Sequence, residues 1–128
     1  MKKFLAVLSL AVVLGLGLGV PTTPAEAAYP QVSTKLTSSQ TSSSTSRLKI
    51  GSSGLHILVG NYNSSKTIRW TIFKNGNAWT SGLVSAGQTY NYQFSASSIS
   101  SGEYSLRLYC GKTGSNTGCS GTGALTAK

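Results

Sequence analysis

An antiparallel β-sandwich of about seven short strands is the fold this sequence predicts. Three observations point to it. Apolar and polar residues alternate with a period of two, clearest where Ile68, Trp70 and Ile72 interleave with Arg69, Thr71 and Phe73. Turn-forming residues recur at short, regular intervals, Asn75-Gly76 being the strongest hairpin signal among them. No segment beyond the amino terminus shows a helical period. A small closed barrel is the rival arrangement for the same strands.

The amino terminus reads as an export signal. Lys2 and Lys3 precede an apolar run over residues 4–20, followed by Pro21, Pro24 and the small pair Ala25 and Ala27 around Glu26. A basic start, an apolar centre and an A-x-A site make a secretory signal peptide, residues 1–27. The competing reading is an uncleaved membrane anchor, since the run is nearly long enough to span. No cysteine stands near the cleavage site to carry a lipid, and no second apolar span follows, so a released product is expected.

Residues 28–46 are expected to form a flexible tether. From Ser33 to Ser46 every residue but Lys35, Leu36 and Gln40 is Ser or Thr. A segment with so little apolar surface has little to offset its own ordering entropy.

The folded domain is expected over residues 47–128. Leu48 and Ile50 mark a first strand, closed by Gly51-Ser52-Ser53-Gly54. Leu55, Ile57 and Val59 give the buried face of a second, over residues 55–62, and the third runs over 67–74. The chain returns over 78–84, turns at Ser85-Ala86-Gly87 and runs out over 88–95, where Tyr90, Tyr92 and Phe94 alternate with Thr89, Asn91 and Gln93. A longer connection over 97–102 precedes the sixth strand, 103–110, with Tyr104, Leu106 and Leu108 on one face. Residues 121–127 close the set, with Leu125 as their core residue.

A Trp70 buried in the third strand fits a sandwich, and Ser101-Gly102-Glu103-Tyr104, leading into the sixth, resembles the tyrosine corner of immunoglobulin-like and fibronectin-like domains. The resemblance implies that the Tyr104 hydroxyl bonds back to the connecting loop and that the third and sixth strands are neighbours. It covers this corner and the strand count, and it bears on architecture alone.

Cys110 and Cys119 are the two cysteines. Export places them in an oxidising compartment, and eight turn-rich residues separate them. They are expected to form a C-terminal hairpin disulfide, stabilising by roughly 2–3 kcal/mol on a chain-entropy estimate. A redox pair or a metal site fits less well: the spacing is not C-x-x-C, and His56 alone could add a ligand. His56 itself reads as a surface or rim histidine.

Charge and inventory bound the function. Without residues 1–27 the chain keeps nine of its eleven basic residues and one of its two acidic ones, a net charge of +8. Glu103 is then its sole side-chain carboxylate. Glycosidase chemistry needs a carboxyl pair, a Ser-His-Asp triad needs an Asp, and metal hydrolysis needs a ligand cluster; none of these is present. A non-enzymatic protein without cofactor or metal is the expectation.

If the third and sixth strands are neighbours, Arg69, Thr71 and Phe73 lie beside Ser105, Arg107 and Tyr109 on one outward face. Guanidinium groups bind phosphate or carboxylate in bidentate fashion, and rings stack on sugars. Arg69, Arg107, Tyr109, Phe73 and Lys49 are therefore the candidate binding residues. The partner expected is an anionic polymer of a bacterial cell wall or extracellular matrix: teichoic acid, peptidoglycan or polysaccharide. Nucleic acid is disfavoured as a partner. Two other functions fit a small, stapled, cationic secreted protein. One is an antimicrobial or toxin-like effector on competitor membranes. The other is an inhibitor presenting Lys112 on the Cys110–Cys119 loop to a secreted enzyme.

Overall fold

A computed structural model describes residues 29–128. The expected signal peptide lies outside the described residues. Nine strands and one 3-10 turn form among the residues described. They are β1 (Gln31–Leu36), β2 (Ser42–Ser44), β3 (Leu48–Ile50), β4 (Leu55–Asn61) and β5 (Ile68–Lys74). After them come β6 (Asn77–Val84), β7 (Thr89–Phe94), the 3-10 turn (Ala96–Ser98), β8 (Gly102–Cys110) and β9 (Gly121–Ala127).

The strands form two antiparallel sheets rather than one closed barrel. A five-stranded sheet runs β2-β8-β5-β6, with β3 pairing β8 beyond the end of β2. A four-stranded sheet runs β1-β9-β4-β7. The fold is a β-sandwich. Between the sheets lie the inward residues that the alternation predicts: Ile68, Trp70 and Ile72 from β5, Tyr104, Leu106 and Leu108 from β8, and Leu55, Ile57 and Val59 from β4. Leu125 joins them from β9. Burying such side chains is worth about 1.5–3 kcal/mol each, and this burial is what holds the layers together.

β5 pairs β8 directly over its whole length, Ile68 to Lys74, as the corner resemblance implies. The Tyr104 hydroxyl donates to the Ser100 carbonyl at 2.6 Å, so the corner itself is present. The placing of the last strand differs from an immunoglobulin domain, where it adjoins the sixth. Here β9 joins the other sheet between β1 and β4, and β2 and β3 take the place beside β8. The Cys110–Cys119 disulfide closes the loop that carries the chain from one sheet to the other, and both sulfurs' residues are fully buried.

The Ser/Thr-rich segment is not the tether its composition suggests. Residues 31–36 and 42–44 are strands in opposite sheets, so the folded unit begins at Gln31 rather than Arg47. Leu36 is fully buried, and Val32 packs against the core. The inward hydroxyls find partners: Thr34 and Ser43 hydrogen-bond to each other across the two sheets. Thr45, 8% exposed, accepts the Leu106 N–H at 3.0 Å with its hydroxyl, and its own N–H donates to the Leu106 carbonyl at 2.9 Å. Composition understated what a few apolar residues and satisfied hydroxyls do once a sheet edge is there to receive them.

The hairpin between β5 and β6 turns as expected. Asn75 and Gly76 take φ of 51° and 85°, the left-handed pair a two-residue hairpin needs. Opposite Ile72, β6 carries a bulge, where Thr80 pairs Ile72 and Ala78 pairs Phe73. The extra residue is Trp79. The bulge turns its ring toward the open side of the sandwich, against Phe94 at 5.1 Å and Tyr104 at 5.6 Å. Trp79 is thus a packed edge residue that remains 38% exposed. Three residues on, Gly82 lets the β6 backbone rest on the Trp70 indole, where a Cβ would come within 2.7 Å of the ring.

Candidate functional site

The period of two that builds the core also decides what the five-stranded sheet shows to solvent. Odd-numbered residues of β5 and β8 face outward, and the register sets them in rows across the sheet. Ser42, Tyr109, Arg69 and Leu83 make one row; Ser44, Arg107, Thr71 and Ser81 make the next. Ser105 and Phe73 form a third, and Glu103 and Lys49 a fourth. All five candidate residues therefore share one face.

Three of them form a cluster. The Arg69 guanidinium lies over the Tyr109 ring at 4.2 Å from its centroid, and that of Arg107 lies 5.5 Å from the same ring. The Arg107 Nη2 also donates to the Ser42 hydroxyl at 3.1 Å. Beside the ring sits the disulfide loop, close enough that a Cβ on Gly114 would fall 2.8 Å from the Tyr109 Cδ1. Tyr109 is half-buried between strand neighbours and loop, and it works as a fixed support for two cations.

Among the described residues neither guanidinium has a carboxylate partner. Among the described residues the one ion pair joins Arg47 to Glu103 at 3.2 Å, and both of those side chains are about half exposed. The Arg69 Nε is buried without a hydrogen-bond partner, while the rest of the group lies on the ring. A planar guanidinium resting on a ring keeps N–H donors at its edge that the ring does not use.

Phe73 and Lys49 stand apart from the cluster. Phe73 is half-buried in the adjoining row, within reach of a ligand that extends along β5. Lys49 is exposed, but it pairs in register with Glu103 at the far end of β8. Three rows at the usual strand rise separate it from Tyr109 by about 20 Å, beside the one carboxylate of the face. Its charge is partly offset there.

Ser42, Leu83 and Gly114 belong to this site, and the sequence did not reveal them. Ser42 sat in a segment that reads as a tether, and Gly114 in a loop whose path the disulfide alone does not fix. The four-stranded sheet shows a different surface. His56 lies half-buried on its outer face, 2.6 Å from the Asn91 Oδ1, at a shallow concavity of about 350 Å³ lined also by Tyr29, Leu58 and Lys128. No group of three or more His, Cys, Asp or Glu residues gathers anywhere among the described residues.

No protein-family model matches this chain, and none of the curated proteins does. Solved structures from infectious bursal disease virus align with part of it. Its VP2 subviral particle aligns at 18% identity and a TM-score of 0.40, and the structure of the Gt strain at 14% and 0.37. Each alignment covers 79% of this chain and 30% of the matched one. The chain thus spans less than a third of the length of those proteins, and likenesses so distant add nothing to the pairing described above.

Proposed function

We propose that this is a secreted, non-enzymatic bacterial protein whose five-stranded face binds an anionic polymer of the cell envelope or extracellular matrix. One observation carries the reading: Arg69 and Arg107 are held against Tyr109 with no carboxylate to neutralise them. Phosphodiester or carboxylate groups repeated along a polymer suit two guanidinium groups fixed in adjacent rows of a sheet. The net charge of +8 over residues 28–128 brings such a polymer in from a distance, and the cluster then gives it a place to bind.

Co-sedimentation with purified cell walls, with and without their anionic polymers, tests this across a salt series. Pelleting is expected to require the polymer and to weaken as screening shortens below about 8 Å. Arg69→Ala and Arg107→Ala are each expected to weaken binding roughly fivefold to tenfold, which corresponds to about 1–1.4 kcal/mol. Pelleting that ignores salt, or that survives both substitutions together, removes this face as the binding site. Dye release from anionic vesicles in the same buffers separates polymer binding from membrane action.

A further inference from the structure

The sandwich has one side that its charge avoids. Lys74 and Glu103 bound a segment, residues 75–102, that contains no Lys, Arg, His, Asp or Glu. That segment supplies β6 and β7, the edge strands of the two sheets on the same side of the molecule. Trp79 and Tyr92 are exposed there, at 38% and 49%.

Three of the four sheet edges carry a feature that discourages pairing with another chain. β1 follows Pro30 and carries Lys35. β2 and β3 are three residues each, with a break between them and an exposed Lys49. β6 is interrupted by the bulge at Trp79. β7 has none of these. It pairs β4 in unbroken register from Thr89 to Phe94, Thr-Tyr-Asn-Tyr-Gln-Phe, with no charge, proline or glycine.

Its free bonding groups can be assigned. The Asn61 N–H donates to the Gln88 carbonyl at 3.0 Å, which sets the phase of the ladder. Val59/Tyr90, Ile57/Tyr92 and Leu55/Phe94 are then the pairs that exchange hydrogen bonds. The backbone groups of Thr89, Asn91 and Gln93 turn to the open side, where no described strand receives them.

The geometry points to a second copy of this chain as the partner of that edge, β7 pairing antiparallel with β7 about a two-fold axis at Asn91. Asn91 then faces Asn91, and Thr89 faces Gln93 on both sides of the axis. These pairs exchange about six main-chain hydrogen bonds and join two four-stranded sheets into one of eight. Tyr90 of each copy comes opposite Tyr92 of the other. The existing aromatic row, in which Tyr90 stacks on Trp70 at 5.1 Å and on Tyr92 at 6.3 Å, continues across the axis. Charge favours a like partner. Two chains of this basicity repel each other over most orientations, and the uncharged side is where they approach at least cost. A foreign partner for so cationic a protein would be acidic, and this side offers an acidic partner nothing.

Sedimentation equilibrium of the purified protein from about 1 μM to 1 mM is the test. A monomer–dimer equilibrium that strengthens with salt is expected, because screening relieves the repulsion between copies. That trend is opposite in sign to the expected salt dependence of polymer binding, so the two can fail separately. Asn91→Lys and Asn91→Asp each place like charges face to face on the axis and are expected to weaken the dimer at least tenfold. Mixing the two variants in equal amounts is expected to restore it, as only a two-fold at this residue allows. Asn77→Lys, on β6, is expected to leave the dimer unchanged. A wild-type chain that stays monomeric throughout overturns the proposal. So does a mixture no tighter than its separate components, or an Asn77→Lys protein weakened as much as Asn91→Lys.

Discussion

Strands β5 and β8 at the centre of one sheet and strands β1 and β2 at the rim of the sandwich are all antiparallel strands, yet their sequences share little. β5 is Ile-Arg-Trp-Thr-Ile-Phe-Lys, with Ile68, Trp70 and Ile72 buried. β2 is Ser-Ser-Ser, none of it fully buried. The central strands carry their own reason to be extended, a column of large apolar side chains on one face. The rim strands are extended because the centre offers them a ladder and a few pockets: Leu36 fills one, Thr34 and Ser43 satisfy each other, and Thr45 caps the Leu106 amide. A sheet centre is thus specified by its own residues, and a sheet edge largely by what it docks on.

That contrast can be broken at its strong end first. Trp70→Ala removes the largest side chain of β5 from between Gly82 and Tyr90 and is expected to cost about 3–5 kcal/mol, read from urea unfolding. A smaller loss would mean that β6 settles onto the space, aided by Gly82. Leu36→Ala sharpens the comparison more directly. A docked β1 predicts a loss of about 2–4 kcal/mol in the same measurement, whereas a free tether predicts none. Thr45→Val is the smallest change. It keeps the shape but leaves the buried Leu106 N–H without its hydroxyl acceptor, for an expected cost of about 1–2 kcal/mol. Amide exchange at Leu106 should quicken in that variant, which separates a lost hydrogen bond from a packing change.

Other ring chemistry follows from the same edge. Tyr90 and Tyr92 lie side by side on β7, and the Tyr90 hydroxyl is pushed above the ordinary phenol range, first by burial and then by its neighbour. Burial in the aromatic row thus favours the neutral form of the Tyr90 hydroxyl.

Much of the fold was present in the sequence. Seven strands fall where alternation and turn residues place them, to within a residue or two, and the inward residues of β4, β5 and β8 were identifiable from period alone. The corner bond from Tyr104 to Ser100 was foreshadowed by the loop before it. Period two and turn chemistry are local properties, which is why they survive as readable signals in one chain. The outward cluster was half readable. Pairing of β5 with β8 put Arg69, Arg107 and Tyr109 in adjacent rows, but their convergence on one ring, with Ser42 and Gly114 beside it, depends on the packing of residues far apart in the chain.

By itself the sequence determined that this chain is all-β, which faces of its central strands are apolar, and where its cysteines could close a loop. Those follow from side-chain period, turn geometry and spacing. Tertiary structure alone decided that a Ser/Thr-rich segment becomes two strands, that β9 crosses to the opposite sheet, and that Lys49 lies beside Glu103, away from the arginine cluster. Each depends on which edge is free to receive a strand, and an edge exists only once the rest of the sheet has formed.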